Sequence, residues 1–190
     1  MDRIVRVAGV DEVGRGSLFG PVVAAAVMVS PEVGHRLQGL GVTDSKRLSH
    51  RKREQLLGVI QELAIDCQLG VASVAEIDQF NILQASLLAM RRAVLKLAVV
   101  PQVCLVDGLY EIPEWQGVQK TVVKGDQTEV AIAAASIFAK VWRDELITRL
   151  DPMFPQYDLR ANKGYGTKKH RQAIAEFGRS CLHRRSFKLH

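Results

Sequence analysis

Four carboxylates stand where apolar, β-branched runs of this chain come to an end. Asp11 and Glu12 close the run VAGVDE, Asp107 closes VCLVDG, and Asp126 follows TVVKGD. Charge at the end of a buried strand is costly unless something pairs with it. An Asp beside Gly is also an ordinary turn former, so no one of these positions is informative by itself. Three acidic run-ends from distant parts of the chain are a stronger signal. If the three strands neighbour one another in a sheet, the carboxylates converge, and repulsion raises their pKa values unless cations sit among them. Oxygen donors without His or Cys suit Mg²⁺ or Mn²⁺ better than zinc. Two such ions about 4 Å apart serve in-line attack on a phosphodiester, one activating water and the other stabilising the leaving oxygen.

The elements that must position these acids are legible from periodicity. Residues 4–10 alternate and are rich in Val, and residues 21–29 form a second β-branched run; the Gly-rich turn between them predicts an antiparallel pair. Ser49 can cap a helix to residue 63, with Leu56, Leu57, Ile60 and Leu63 on one face. Residues 67–74 read as a third strand. The segment Ser73-Val-Ala-Glu76 is a capping box that opens a short helix, and residues 82–97 carry apolar positions at Leu83, Leu87, Met90, Val94 and Leu97. Residues 103–106 and 118–123 are two further strands, the former containing Cys104 as a small core hydrophobe. The longest predicted helix, Val130–Leu150, is Ala-rich at its start and so able to pack closely on a sheet. A last helix is expected at residues 168–177, followed by a basic tail. Five strands and four or five helices make an α/β layer architecture, with any site at the strand ends. No Gly-, Ser- or Pro-rich run divides the chain, so residues 1–190 are expected to form a single domain.

Composition excludes a disordered, collagenous or rod-like protein: 47% of the 190 residues are hydrophobic and 24% charged. The net charge is +6, and its distribution says more than its sum. Residues 161–190 hold eight cations (Lys163, Lys168, Lys169, Arg171, Arg179, Arg184, Arg185 and Lys188) against the single acid Glu176, whereas the rest of the chain is close to neutral. A basic end beside an acidic metal cluster suits a nuclease, because cations hold the phosphate backbone while metals do the chemistry. Cys67, Cys104 and Cys181 fit neither a disulfide framework nor a zinc knuckle, and the first residues lack the features of a signal peptide. Residues 22–29 are too few to span a bilayer. A reducing cytoplasm is therefore the expected location, with no membrane partner.

Two other functional classes are weighed against the residues. Gly14, Gly16 and Gly20 form GxGxxxG after a strand, near a dinucleotide-binding fingerprint, with Glu32 downstream. That fingerprint demands a helix next, yet Pro21 and a β-branched run follow, and Asp11 and Glu12 would repel a pyrophosphate. A basic nucleic-acid-binding module without chemistry needs no convergent acids and favours interleaved aromatics, which are only 6% here. No Ser sits in a GxSxG elbow.

Seven motifs in register resemble the bacterial ribonuclease HII family. They are DEVGRG from Asp11, GPVVAAAV from Gly20, DSKRLS from Asp44, VDG from Val106, KGD from Lys124 with AAASIFAKVWRD, KGYGT from Lys163 and HRRSF from His183. The resemblance covers essentially the whole chain. It implies the ribonuclease H-like fold, a five-stranded mixed sheet flanked by helices. It also implies hydrolysis of RNA paired with DNA, and cleavage 5′ of single ribonucleotides embedded in duplex DNA. By motif, Asp11, Glu12, Asp107 and Asp126 would be the catalytic carboxylates binding Mn²⁺ or Mg²⁺, with Asp11 bridging both ions. Gly14, Arg15 and Gly16 would sense the ribose 2′-OH, and Tyr165 would pack on the sugar. Ser45, Lys46, Arg184 and Arg185 are expected on substrate phosphates. The partner implied is nucleic acid, met by a monomer.

Overall fold

The structure, a computed structural model, describes residues 5–189. Five strands run in the order β3-β2-β1-β4-β5: β1 (Val7–Val13), β2 (Val22–Val29), β3 (Asp66–Ala72), β4 (Val103–Asp107) and β5 (Gln119–Val122). The first three pair antiparallel, while β1 with β4 and β4 with β5 are parallel, so the sheet is mixed. The helices are α1 (Pro31–Gly39), α2 (His50–Leu63), α3 (Val74–Phe80), α4 (Ile82–Leu95), α5 (Gly125–Thr128), α6 (Val130–Leu150), α7 (Leu159–Asn162) and α8 (Lys168–Phe177).

Local chemistry places most of these boundaries. Ser49 caps α2 by accepting the Lys52 N–H at 3.3 Å, and the Ser73–Glu76 capping box closes in both directions at α3. The long helix α6 spans the expected Val130–Leu150. Two expectations move. The first strand is shifted to Val7–Val13, so Asp11 and Glu12 lie inside it rather than after it; antiparallel pairing of Asp11 with Ala25 and Glu12 with Ala24 carries the ladder past the last apolar residue. Ile4, in the expected strand, lies outside the described residues. Helix α1 had no counterpart in the periodicity, although Ser30 caps it, Pro31 opens it and Glu32 sits in its first turn.

Strand β2 is buried along its whole length, VVAAAVMV, because helices cover both faces of the sheet. On one face Ala8, Val10, Cys104 and Val106 meet α4; on the other Ala25, Val27 and Val29 meet α2 and α6. Small residues make the contact close: a Cβ on Gly9 would stand 2.0 Å from the Ala131 carbonyl carbon. A third, smaller core gathers Leu18, Phe19, Ile147, Tyr157, Leu159 and Ile174 under the C-terminal segment.

Candidate active site

The pleat decides which acids meet. Strand residues alternate between faces, so Gly9 and Asp11 on β1 turn toward α6, as Leu105 and Asp107 do on β4. The two strands are parallel with Val10 opposite Val106, which sets Asp11 and Asp107 side by side one residue further on. Glu12 follows at the same sheet edge. Asp126 arrives from α5, which the chain enters through Lys124 in the left-handed region, φ 55°. A clip fixes that turn: the Gly125 N–H donates to Asp107 Oδ1 at 2.7 Å. All four expected carboxylates are thus gathered at one end of β1 and β4.

Their environment is electrostatically strained. Asp11 is 6% exposed. Burial, reinforced by repulsion from Glu12 and Asp107, raises its carboxyl well above the ordinary range, against hydrogen bonds from Ser136 and the Glu12 N–H. Burial also raises Glu12, opposed by the Arg15 guanidinium 3.3 Å away. Asp107 is raised by burial and then by Asp126, with the Gly125 N–H pulling the other way. The Lys46 ammonium sits 3.4 Å from Asp126 Oδ2. Burial of its stem works against that charge, but Asp126, Asp11 and Asp44 outweigh it and hold its pKa above the ordinary value.

An all-oxygen set of mutually repelling carboxylates that already draws in a lysine fits a hard divalent cation. Among the described residues no three His, Cys, Asp or Glu are placed to hold a metal ion by themselves. An open set of this kind leaves coordination positions for oxygens from outside the protein, such as those of a phosphodiester.

Beside the acids, the turn after β1 is braced from beneath by a fully buried arginine. Arg143 donates to Pro21 O at 3.0 Å, Phe19 O at 2.9 Å, Ser17 Oγ at 2.8 Å and Lys163 O at 3.0 Å. It leaves no room at Gly14, φ +91°, where a Cβ would be 2.2 Å from Arg143 Nε. Gly16 faces open space. Tyr165 pairs with Ser17 in an isolated bridge, and its ring lies 5.4 Å from Lys140 Nζ and 5.6 Å from Arg143 Cζ. The Tyr165 carbonyl is held at 2.9 Å by Nδ1 of His170, a buried residue whose Nε2 meets that of His183 at 3.0 Å. Ser180 N donates to His183 Nδ1, which fixes both tautomers: His183 Nε2–H donates to His170, and His170 Nδ1–H donates to Tyr165.

Two expected substrate contacts, Ser45 and Arg184, stand elsewhere than on an open surface. Ser45 is buried, its hydroxyl 2.9 Å from that of Ser136, so it supports the Asp11 region from within. Arg184 is 1% exposed; it donates to Gly20 O at 3.0 Å and Arg15 O at 2.8 Å, so a phosphate on the surface is not its partner. The Arg15 guanidinium pairs with Glu12. Lys46 and Arg185 are exposed, the latter with its backbone N–H on Asp78. Sequence reasoning missed Arg143, Ser136 and His170. Arg143 and Ser136 carry one available signal: both are polar positions in the otherwise Ala-rich, sheet-packed α6.

The mixed sheet, the acidic strand ends and the braced Gly-rich turn define a phosphodiester-cleaving nuclease of the ribonuclease H class. The profile of the family Ribonuclease HII matches residues 8–190. Ribonuclease HII of Acaryochloris marina is 60% identical over 98% of this chain and 94% of its own. That of Synechocystis sp. is 54% identical over 95% of both chains. In structure, ribonuclease H2 of Pyrococcus horikoshii superposes with a TM-score of 0.81 at 26% identity, covering 97% of this chain and 95% of that one. The RNase HII of Archaeoglobus fulgidus, solved in complex with PCNA, gives 0.79 at 30% identity over 94% and 92%. The chain belongs to the ribonuclease HII family and is a ribonuclease H hydrolase. Among the described residues no helix is long and apolar enough to cross a membrane.

Proposed function

We propose that this enzyme nicks duplex DNA on the 5′ side of an embedded ribonucleotide, and the RNA strand of RNA/DNA hybrids, leaving 3′-hydroxyl and 5′-phosphate ends. In this reading it acts in the cytoplasm as a monomeric single domain, at the first step of ribonucleotide removal. The observation that carries it is the adjacency of Asp11 and Asp107 on parallel strands, clipped to the Asp126 turn, beside a loop whose Gly16 backbone is open. Asp11, Glu12, Asp107 and Asp126 would hold the divalent ions, Mn²⁺ or Mg²⁺. When bound, these ions supply water activation and charge stabilisation at the leaving oxygen.

The chain's own groups do the rest. Backbone atoms of Gly14, Arg15 and Gly16 meet the 2′-OH, the only group that separates RNA from DNA at one nucleotide. Tyr165 packs on the neighbouring sugar from a loop bonded to that turn. Lys46 and Arg185 neutralise phosphates. Ser136 and the Gly125 N–H keep Asp11 and Asp107 aimed before substrate arrives, which is electrostatic preorganisation. A duplex containing one ribonucleotide, incubated with Mg²⁺ or Mn²⁺, should be nicked 5′ to it and left intact with EDTA. An intact duplex in both conditions overturns the proposal.

A further inference from the structure

Arg184 is a buried guanidinium that no carboxylate pairs with among the described residues. Taking such a group out of water costs several kcal/mol unless dipoles or charges replace the solvent. Here carbonyls do so for two of its three nitrogens, Nη2 being buried without a partner, and they belong to one loop: Nη1 donates to Arg15 O and Nε to Gly20 O, while the Arg184 backbone N–H donates to Leu18 O at 2.9 Å. A single planar fork therefore closes the turn from residue 15 to residue 20. Lysine, a point donor on a flexible stem, cannot span both carbonyls with fixed geometry. The guanidinium itself is held by the Phe187 ring, 5.0 Å from its Cζ.

The consequence lies on the other side of the peptide. All peptide bonds described are trans, and in a trans unit the C=O and the following N–H point in opposite directions. With the Arg15 carbonyl turned inward onto Arg184, the Gly16 N–H is turned outward. Around Gly16 there is open space, and its N–H finds no acceptor among the described residues, whereas the preceding carbonyl, Gly14 O, is occupied by Ser17 N at 3.2 Å. The Arg15 N–H likewise has no acceptor among the described residues; of the free donors in this loop, the Gly16 N–H is the one whose direction Arg184 sets.

We propose that Arg184 is a positioning residue for ribose recognition: by holding the Arg15 carbonyl inward it presents the Gly16 N–H to the 2′-oxygen of the nucleotide being tested. This rests on the assignment of the Gly14–Gly16 turn to the 2′-OH made above. It explains why an arginine expected on a phosphate is buried beneath a backbone, and why its fork ends on carbonyls instead of acids.

The experiment compares binding of two otherwise identical duplexes, with and without one ribonucleotide, by fluorescence anisotropy in EDTA. Wild type should bind the ribonucleotide-containing duplex more tightly. Arg184→Lys and Arg184→Gln should each lower that preference by roughly tenfold or abolish it. The ratio is independent of the fraction of folded protein, so a merely structural brace leaves it unchanged. In wild type, the Gly16 amide resonance should shift with the ribonucleotide duplex and not with all-DNA duplex, a readout that survives if the variants fail to fold. An unchanged preference in folded variants, or a Gly16 amide that responds equally to both duplexes, overturns the inference. Wild type without any preference or nicking instead overturns the functional proposal on which it rests.

Discussion

Replacing Asp11 by Asn should make the metal-free protein more stable while destroying its activity. The Asp11 carboxylate is buried and repelled by Glu12 and Asp107, so its charge opposes folding. Asn has nearly the same volume and keeps the oxygen that accepts the Glu12 N–H at 2.7 Å. Relief of this kind at a functional site is worth about 1–2 kcal/mol. For a chain of 190 residues that is a rise in melting temperature of roughly 2–8 °C. The pH dependence follows from the direction of the shift. A carboxyl raised above its unfolded value of 3.8 binds a proton more readily in the native state, so wild type regains stability as pH falls through the folded pKa. The advantage of Asp11→Asn is therefore full at neutral pH and vanishes as pH approaches 3.8. Calorimetry in EDTA at neutral and acid pH measures both. Adding Mg²⁺ or Mn²⁺ to about ten times its Kd should stabilise wild type by about 1.4 kcal/mol and the variant by less. An Asp11→Asn protein that melts below wild type at neutral pH in EDTA, or whose gain persists unchanged in acid, would refute the reasoning.

Asp107→Asn should cut turnover in Mg²⁺ or Mn²⁺ by at least about 1000-fold while hybrid binding persists, since charge stabilisation of several kcal/mol depends on that carboxylate; near-wild-type rates would remove it from the site. Burial, then His170 and Arg179, push the His183 imidazole from 6.5 down to about 4. Its neutral form is thus the native one: stability is complete above pH 6.5 and about 3 kcal/mol of it is lost as pH falls toward 4, a loss that His183→Gln should reduce in acid denaturation followed by fluorescence. Five tail cations are exposed, namely Lys168, Lys169, Arg171, Arg185 and Lys188. Their joint replacement by Gln should flatten the slope of log K against log salt by up to about 4.5, and an unchanged slope would mean that these five do not reach phosphate. Gly9→Ala would push α6 off β1 and should cost about 3 kcal/mol or more in a denaturant titration; a neutral effect would show that the sheet can yield there.

The strands and long helices were legible because their hydrophobic periods are strong, and α6 was legible to its ends because Ala-rich packing and flanking turns coincide there. The shift of β1 was not, since pairing with Ala24 and Ala25 of β2 holds Asp11 and Glu12 in the ladder after the apolar run stops. Helix α1 was hidden for a related reason: only Gly34 and Leu37 of its nine residues are buried, too few to raise a period. The four acids could be found because misplaced charge is visible in one dimension. What could not be found was their support. Arg143 reaches a loop more than 120 residues away, and its place in the sheet-packed α6 hints at burial without pointing to that loop.

The same distinction reshapes the charge of the C-terminal segment. Eight cations there suggested a surface for phosphate. In the folded chain Arg184 holds the Arg15 and Gly20 carbonyls. Arg179 holds those of Arg184, Arg185 and Phe187, and Lys163 is spent on Thr148 and Arg160. These three order the turn and tail that the remaining five then charge. A basic run can thus serve two physical ends at once: exposed members set affinity and its dependence on salt, and buried members fix the direction of a backbone N–H. Net charge reports only the first, so composition could suggest an affinity for nucleic acid, while the proposed discrimination at a single 2′-oxygen rests on which guanidinium faces inward.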